Sequence, residues 1–331
     1  MKKTYSNLIS RRSAILYGVA GVAAMLPGLS LSQDDFPSKP IRFYVPFGPG
    51  SSSDITARVY AKAFGEIAGQ PVIVENRGGG EGIIGARAVL SKPEDGYSIL
   101  FASNTVLSTN AAIRKDLPYD PLTDFEPISV LELSYAAIAV PASSQFKTFD
   151  DLVQFAAKNP GVLNHGSGSQ TYTLWNTWLM NLVGVKVTNI PYKDSGDAAK
   201  AVAAGEVDFA VTAVNPLLPY VDGGRIRILM FTGESRHPKL PNVPTVKEVG
   251  PKEYQALIYN AVAVRAGTPK PVRDRIVEIF RRASSMDIVQ ERSKAQGNTS
   301  FFSGPDEMRK FQVGEIARWK KLIAETGLKF E

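Results

Sequence analysis

Residues 45–64 read VPFGPGSSSDITARVYAKAF, in which an apolar strand ends, a glycine- and serine-rich turn follows, and a helix begins. Such a turn aims unpaired backbone N–H groups and the positive end of the helix dipole at one point, which attracts anions. Ser51 and Asp54 also have the spacing of a capping box, in which the carboxylate returns to a backbone N–H. The turn could therefore hold a phosphate, a carboxylate or no ligand.

Two nucleotide-binding motifs can be compared with this turn. A triphosphate-binding loop needs a Gly-Lys-Ser/Thr sequence, and the stretch has no lysine before Lys62, so that motif is excluded. A dinucleotide fingerprint fits better, because Gly48 and Gly50 have its spacing and Glu75 closes the next strand. Ser53 stands where that fingerprint has its third glycine, so the match is incomplete.

Two further glycine-rich loops also follow apolar strands. Residues 76–82 read NRGGGEG and residues 165–171 read HGSGSQT. Loops at the carboxyl ends of strands in two α/β units would face each other across a cleft, where open α/β sheets bind ligands. This pairing suits a ligand with an anionic group at one or both ends.

Apolar runs and helical patterns alternate along the chain, which predicts βαβ units and a mostly parallel sheet. The first unit has strands over 41–46, 72–75 and 98–102 and helices over 54–68 and 82–90. The second has strands over 162–164, 187–190, 207–212 and 226–231 and helices over 171–183 and 197–204. Extended stretches over 135–140 and 256–264 bracket it, and helices are expected near 271–283 and 305–326, packed on the first unit. The pattern predicts two α/β lobes, a cleft and a two-stranded hinge.

The composition excludes several classes of function. Lys2, Lys3, Arg11 and Arg12 lie in the first 32 residues, which have no acid, and without these four charges the net +6 falls to +2. That balance is too small for a nucleic-acid-binding surface. The chain has no cysteine and two histidines, so a conventional zinc site is not expected. No Gly-x-Ser-x-Gly elbow is present, and hydrolase chemistry has no support.

The first residues have the pattern of an export signal. A basic start precedes an apolar run over 14–26 and a small-residue segment before Gln33. Thirteen apolar residues are too few to span a bilayer as a helix. Arg11 and Arg12 form a twin-arginine pair. Residues 1–32 are predicted to be a twin-arginine-like signal peptide that is cleaved near residue 32, which places the mature protein in the periplasm.

The whole mature length resembles the Bug-type periplasmic receptors of tripartite tricarboxylate transporters. The matching stretches include VPFGPGSSSDITAR, VIVENRGGGEGIIGARAV, PEDGYSIL, IPYKDSGDAAKAVAAGEVDFA and LPNVPTVKEVG. The resemblance implies a type II, Venus-flytrap binding protein with no cofactor and no enzymatic activity. It would capture a dicarboxylate, a tricarboxylate or an aromatic carboxylate such as terephthalate, and deliver it as a monomer to the membrane permease subunits.

The resemblance also implies lobe boundaries and a binding site. Lobe 1 would comprise residues 33–135 and 257–331, and lobe 2 residues 136–256. The family's carboxylate-binding turn corresponds to the first glycine-rich turn, and its opposing site to the third. The predicted ligand-binding residues are Phe47, Gly48, Pro49, Gly50, Ser51, Ser52, Ser53, Asp54, Asn104, His165, Ser167, Gly168, Ser169, Gln170, Thr171, Tyr192 and Asp208.

Two alternatives to a transport receptor stay open on the sequence. The incomplete dinucleotide fingerprint and the twin-arginine pair are compatible with an exported oxidoreductase, since that route carries proteins already folded around a cofactor. A carboxylate sensor for a histidine kinase would use the same cleft as a transport receptor.

Overall fold

A computed structural model of the protein describes residues 36–327. The predicted signal peptide lies outside these residues. The first lobe is built on β1 (Ile41–Val45), β2 (Val72–Asn76), β3 (Ser98–Ser103) and β9 (Leu257–Arg265). Its strand order is β2-β1-β3-β9, with β9 antiparallel to its neighbour and the other pairs parallel. Helices α1 (Ser52–Ala68) and α2 (Ile83–Leu90) connect its parallel strands.

The second lobe is built on β5 (Asn164–Ser167), β6 (Thr188–Pro191), β7 (Phe209–Ala213) and β8 (Ile226–Phe231). Strand β5 is parallel to both β6 and β7. The helices of this lobe are α4 (Phe149–Lys158), α5 (Gln170–Leu182), α6 (Ser195–Ala204), α7 (Val214–Asp222) and α8 (Val246–Val249). The predicted mixed α/β, two-lobe architecture is confirmed.

Strand β4 (Phe125–Pro141) runs through both lobes. It pairs with β9 as far as Tyr135, opposite Leu257, and with β7 from Ala136, opposite Ala213. The chain returns through residues 254–256 into β9. Two extended segments therefore connect the lobes.

The remaining helices cover the first lobe and reach beyond it. A π-helical turn (Thr105–Thr109) and α3 (Asn110–Ile113) follow β3, and α9 (Lys270–Ser284), α10 (Asp287–Ala295), β10 (Thr299–Ser300) and α11 (Pro305–Thr326) follow β9. Met308 of α11 is buried in the first lobe, whereas Trp319 packs edge-on against Trp178 of α5, with ring centroids 5.9 Å apart. The last helix thus contacts both lobes, not the first alone. No helix among residues 36–327 has the length and apolarity needed to cross a membrane.

His165 was expected in a loop, but it lies in strand β5 and is fully buried. The sequence HGS has little intrinsic preference for a strand, and pairing with β6 and β7 on both sides determines its conformation. The Val211 N–H can only donate, so Nε2 accepts from it at 2.9 Å. Nδ1 must then carry the proton and donate to Asn189 Oδ1 at 2.8 Å. Both ring nitrogens are engaged within the lobe.

This burial predicts an acid-labile second lobe. Burial lowers the pKa of His165 to about 4, below the value of about 6.5 for a solvated histidine. As the pH falls, His165 takes up a proton in the unfolded chain before it does so in the folded protein. The stability contributed by the neutral, buried His165 is therefore complete above about pH 6.5 and is lost towards pH 4. The difference between these two pKa values corresponds to a loss of roughly 3 kcal/mol in the free energy of unfolding.

Urea unfolding of the wild type and His165→Gln between pH 8 and pH 4 measures this effect. We expect the variant to be less stable at pH 8, because it loses the two hydrogen bonds, and to lose less stability on acidification. Parallel pH profiles for the two proteins would show that His165 is not the responsible group.

Candidate functional site

A small cavity lies where the two lobes meet, at the carboxyl ends of the strands. Its volume is about 20 Å³, and nine of its thirteen lining residues carry hydroxyl groups. The first lobe contributes Phe47, Ser51, Ser52, Ser53, Ser103, Asn104, Thr105 and Ile258, and the second contributes Gly168, Ser169, Thr171, Tyr172 and Ser195. None of the lining residues is charged. The cavity can donate many hydrogen bonds but supplies no counter-ion.

The start of α1 is arranged as the sequence suggested, with one difference. Ser51 is the N-cap, and its hydroxyl accepts from Asp54 N at 3.3 Å. The Asp54 carboxylate accepts from Gly50 N at 2.9 Å instead of from Ser51 N. It also pairs with Arg58 at 2.9 Å. Asp54 therefore caps the helix and does not line the cavity.

Two serines after this cap differ in what they contact. Ser53 Oγ donates to Asn260 Oδ1 at 2.8 Å, which anchors the first turn of α1 to strand β9. Ser52 is 4% exposed and lines the cavity, and no described residue hydrogen-bonds its Oγ. An unpartnered buried hydroxyl is unfavourable, so Ser52 Oγ is a free donor for a bound anion.

The second lobe meets the first lobe at the start of α5, opposite the π-helical turn that follows β3. Thr105 Oγ1 is 2.9 Å from Thr171 Oγ1 and 3.3 Å from Ser169 Oγ, so the hydroxyl groups of the two lobes touch. Gly168 lies against the backbone of residues 194 and 195, where an added Cβ would come within 2.4 Å of a backbone carbon. Within the second lobe, this loop can pack closely against the start of α6 because position 168 has no side chain.

Two carboxylate side chains accept hydrogen bonds from the opposite lobe, and neither residue was among those predicted from the sequence. Asp194 caps α6 by accepting from Gly196 N and Asp197 N, and its other oxygen accepts from Gly48 N at 3.0 Å. In the opposite direction, Glu81 accepts from Gln170 N at the start of α5, at 2.8 Å. Burial raises the pKa of both carboxyl groups. The acidic and small residues that begin α6 are a helix-start signal that could have identified Asp194.

The predicted site residues are thus only partly brought together. Eight of them line the cavity: Phe47, Ser51, Ser52, Ser53, Asn104, Gly168, Ser169 and Thr171. Gly48, Pro49 and Gly50 lie in the first glycine-rich turn and Gln170 is the first residue of α5, and none of the four lines the cavity. Five lining residues were missed: Ser103, Thr105, Tyr172, Ser195 and Ile258. Three of them, Ser103, Thr105 and Tyr172, are sequence neighbours of a predicted residue.

Four other predicted residues have their contacts elsewhere. Asp208 accepts from Asn164 N at 2.7 Å, at the start of β5, about 10 Å along the strand from its cavity end. Ser167 Oγ donates to Ser169 O at 2.9 Å and so stabilises the loop itself. The Tyr192 ring lies beside Gly166, and His165 is enclosed in the second lobe. These residues support the loop or the sheet and do not line the cavity.

Metal ligands are not grouped in the described part of the chain: no three His, Cys, Asp or Glu side chains come together as a metal site would require. The titratable side chain that lines the cavity is Tyr172, and burial raises the pKa of its hydroxyl.

Comparison with known proteins relates this geometry to a family. Residues 56–328 match the model described as the tripartite tricarboxylate transporter family receptor. Protein BugT of Bordetella pertussis is 31% identical over 321 residues, which cover 96% of this chain and 97% of that protein.

Solved structures show the same relationship. A structure described as R. palustris Rpa4515 with adipate has a TM-score of 0.85 at 28% identity, covering 89% of this chain and 99% of that one. The periplasmic binding protein BugD has a TM-score of 0.84 at 27% identity, covering 89% of this chain and all of that one. The chain therefore belongs to the tripartite tricarboxylate transporter receptor family.

Proposed function

We propose that this protein is a periplasmic solute-binding receptor that captures a small organic carboxylate between its lobes and delivers it to a tripartite tricarboxylate transporter permease. The observation that carries the proposal is the uncharged, hydroxyl-lined cavity at which the starts of α1, α5 and α6 converge. Helix starts attract anions, and the free Ser52 Oγ adds a donor. The adipate described for the related Rpa4515 structure supports a carboxylate as the ligand.

The receptor family consists of binding proteins and not enzymes, which excludes the oxidoreductase alternative. The incomplete dinucleotide fingerprint has a simpler explanation, because its glycines allow a close approach between the lobes. An added Cβ at Gly48 would collide with the Asp194 carboxylate.

We also propose the lobe boundaries and the location that the sequence predicted. The change of partner strand between Tyr135 and Ala136 supports a first lobe of residues 33–135 and 257–331 and a second of 136–256. The related BugD, described as a periplasmic binding protein, supports export, with residues 1–32 as the cleaved signal.

Capture requires the lobes to move. A volume of about 20 Å³ holds one water molecule and not a dicarboxylate, so the cleft must open to admit a ligand. Micromolar affinity needs roughly 8 kcal/mol. Helix starts supply at most about 2 kcal/mol each, and charge-assisted hydrogen bonds supply about 1.5–3 kcal/mol each. One helix start and one such bond fall short of this total, so both lobes must contribute contacts, which makes closure favourable on a ligand that reaches both.

The first test is a thermal-shift panel of mono-, di-, tri- and aromatic carboxylates, with terephthalate among them. We expect at least one to raise the melting temperature, because a ligand that binds only the folded protein stabilises it. If a nucleotide or a sugar stabilised the protein and no carboxylate did, the proposed ligand class would be wrong.

Replacing Ser52 by alanine tests the free donor. We expect Ser52→Ala to weaken binding of the best carboxylate from the panel by about tenfold or more, the equivalent of one charge-assisted hydrogen bond. The ligand-free variant should be as stable as the wild type or more stable, because a buried hydroxyl without a partner is removed. Isothermal titration and thermal unfolding measure the two effects.

Ser91→Ala is the matched control for that variant, since the Ser91 hydroxyl is exposed and donates to Ala88 O on the surface. Equal affinities for Ser52→Ala and Ser91→Ala would exclude Ser52 from the site.

Gly48→Ala tests closure. The added methyl group would collide with the Asp194 carboxylate of the opposite lobe, so the lobes should remain further apart and bind the ligand more weakly. Small-angle scattering should show a larger radius of gyration for this variant than for the wild type with ligand. Gly314→Ala is the control, because a methyl group there meets no atom within 4 Å. Wild-type compactness and affinity in Gly48→Ala would contradict the closure mechanism.

A further inference from the structure

We propose that Asp194 makes this cleft selective for ligands that carry a single carboxylate, an inference that rests on the proposed function. Its carboxylate accepts three backbone N–H groups. Gly196 N at 2.9 Å and Asp197 N at 3.0 Å belong to α6, and Gly48 N at 3.0 Å belongs to the opposite lobe. The residue is 5% exposed. A carboxylate of the protein thus occupies donors that would otherwise serve a carboxylate of the ligand.

A second carboxylate acts in the same way on the other side of the cleft. Glu81 accepts from Gln170 N, the first N–H group of α5, at 2.8 Å. Its backbone has a φ of +58°, a left-handed conformation that is uncommon outside glycine. At two of the three helix starts at the cavity, acidic side chains of the protein therefore accept hydrogen bonds from the backbone N–H groups.

The third helix start keeps a donor available. Ser52 Oγ, at the first turn of α1, is buried at the cavity wall and has no partner among the described residues. Ser52 N is already engaged by Ser195 Oγ at 3.2 Å. Among the described residues that line the cavity, Ser52 Oγ is thus the buried side-chain donor without a partner, which favours an external carboxylate on the α1 side.

The fixed charges disfavour a second anionic group. The cavity lining contains no lysine or arginine, and Arg58, near the α1 start, is paired with Asp54. A dicarboxylate would bring its distal charge towards Asp194, whose charged neighbour is another carboxylate, Asp197. Like charges repel strongly where water is excluded. Phe47, Tyr172 and Ile258 offer apolar contacts to the body of a ligand with one carboxylate.

Matched ligand pairs test the selectivity. Hexanoate and adipate, butyrate and succinate, and benzoate and terephthalate each differ by one carboxylate on a similar body. We expect the wild type to bind the monocarboxylate of a pair at least tenfold more tightly by isothermal titration at pH 8. Binding of a dicarboxylate with equal or higher affinity than its partner would overturn the proposal.

Asp194→Ser identifies the residue responsible. Serine can still cap α6, but it carries no charge and is too short to reach Gly48 N. We expect the affinity ratio within a pair to shift by about tenfold towards the dicarboxylate. This affinity ratio compares two ligands on the same protein. A change in lobe closure that weakens both ligands equally therefore leaves the ratio unchanged. Asp194→Asn, neutral and of the same shape, should shift the ratio in the same direction and replaces the serine variant if that one fails to fold.

Asp150→Ser is the control, since it removes an exposed carboxylate from the same lobe, away from the cavity. An unchanged ratio in the Asp194 variants, or the same shift in Asp150→Ser, would assign the selectivity elsewhere. If no member of any pair and no carboxylate of the panel binds, the proposed function fails, and this result differs from a measured ratio that contradicts the role of Asp194.

Discussion

The site depends on backbone N–H groups at helix starts, which have no partner within their own helix and must find an acceptor. Parallel strands in each lobe end at the cleft. The helices that follow these strands, which include α1, α5 and α6, therefore begin there. In this protein the acceptors include the Ser195 hydroxyl and the carboxylates of Asp194 and Glu81. A ligand can use only the N–H and hydroxyl donors that have no acceptor within the protein. The need of each helix start for acceptors therefore determines which donors remain for a ligand.

A site without cations suits the proposed cycle of opening and ligand release. A buried arginine or lysine would need a counter-ion whenever the ligand is absent, and an uncompensated buried charge is strongly destabilising. Hydroxyl groups such as those of Thr105 and Thr171 can instead bond to each other across the cleft. These groups are therefore satisfied in the ligand-free protein without a counter-ion.

The sequence predicted the architecture well because long periodic segments carry their own signal. Helix α11 was predicted at its observed bounds, and α1 within two residues of its start. The strand at 162–164 was placed too early, because polar and glycine residues of β5 become a strand only through pairing on both sides. The two loops of the site were found by their glycines. Asp194 and Glu81 were not, since their partners lie 146 and 89 residues away in the chain. No local pattern encodes such contacts.

The contact of α11 with both lobes has an optical consequence. The chain contains three tryptophans, and all three lie in this region: Trp175 and Trp178 on α5 and Trp319 on α11. Because α11 is anchored in the first lobe by Met308, rotation of the lobes must alter the edge-on packing of Trp178 against Trp319. Intrinsic fluorescence therefore reports lobe rotation without an attached label.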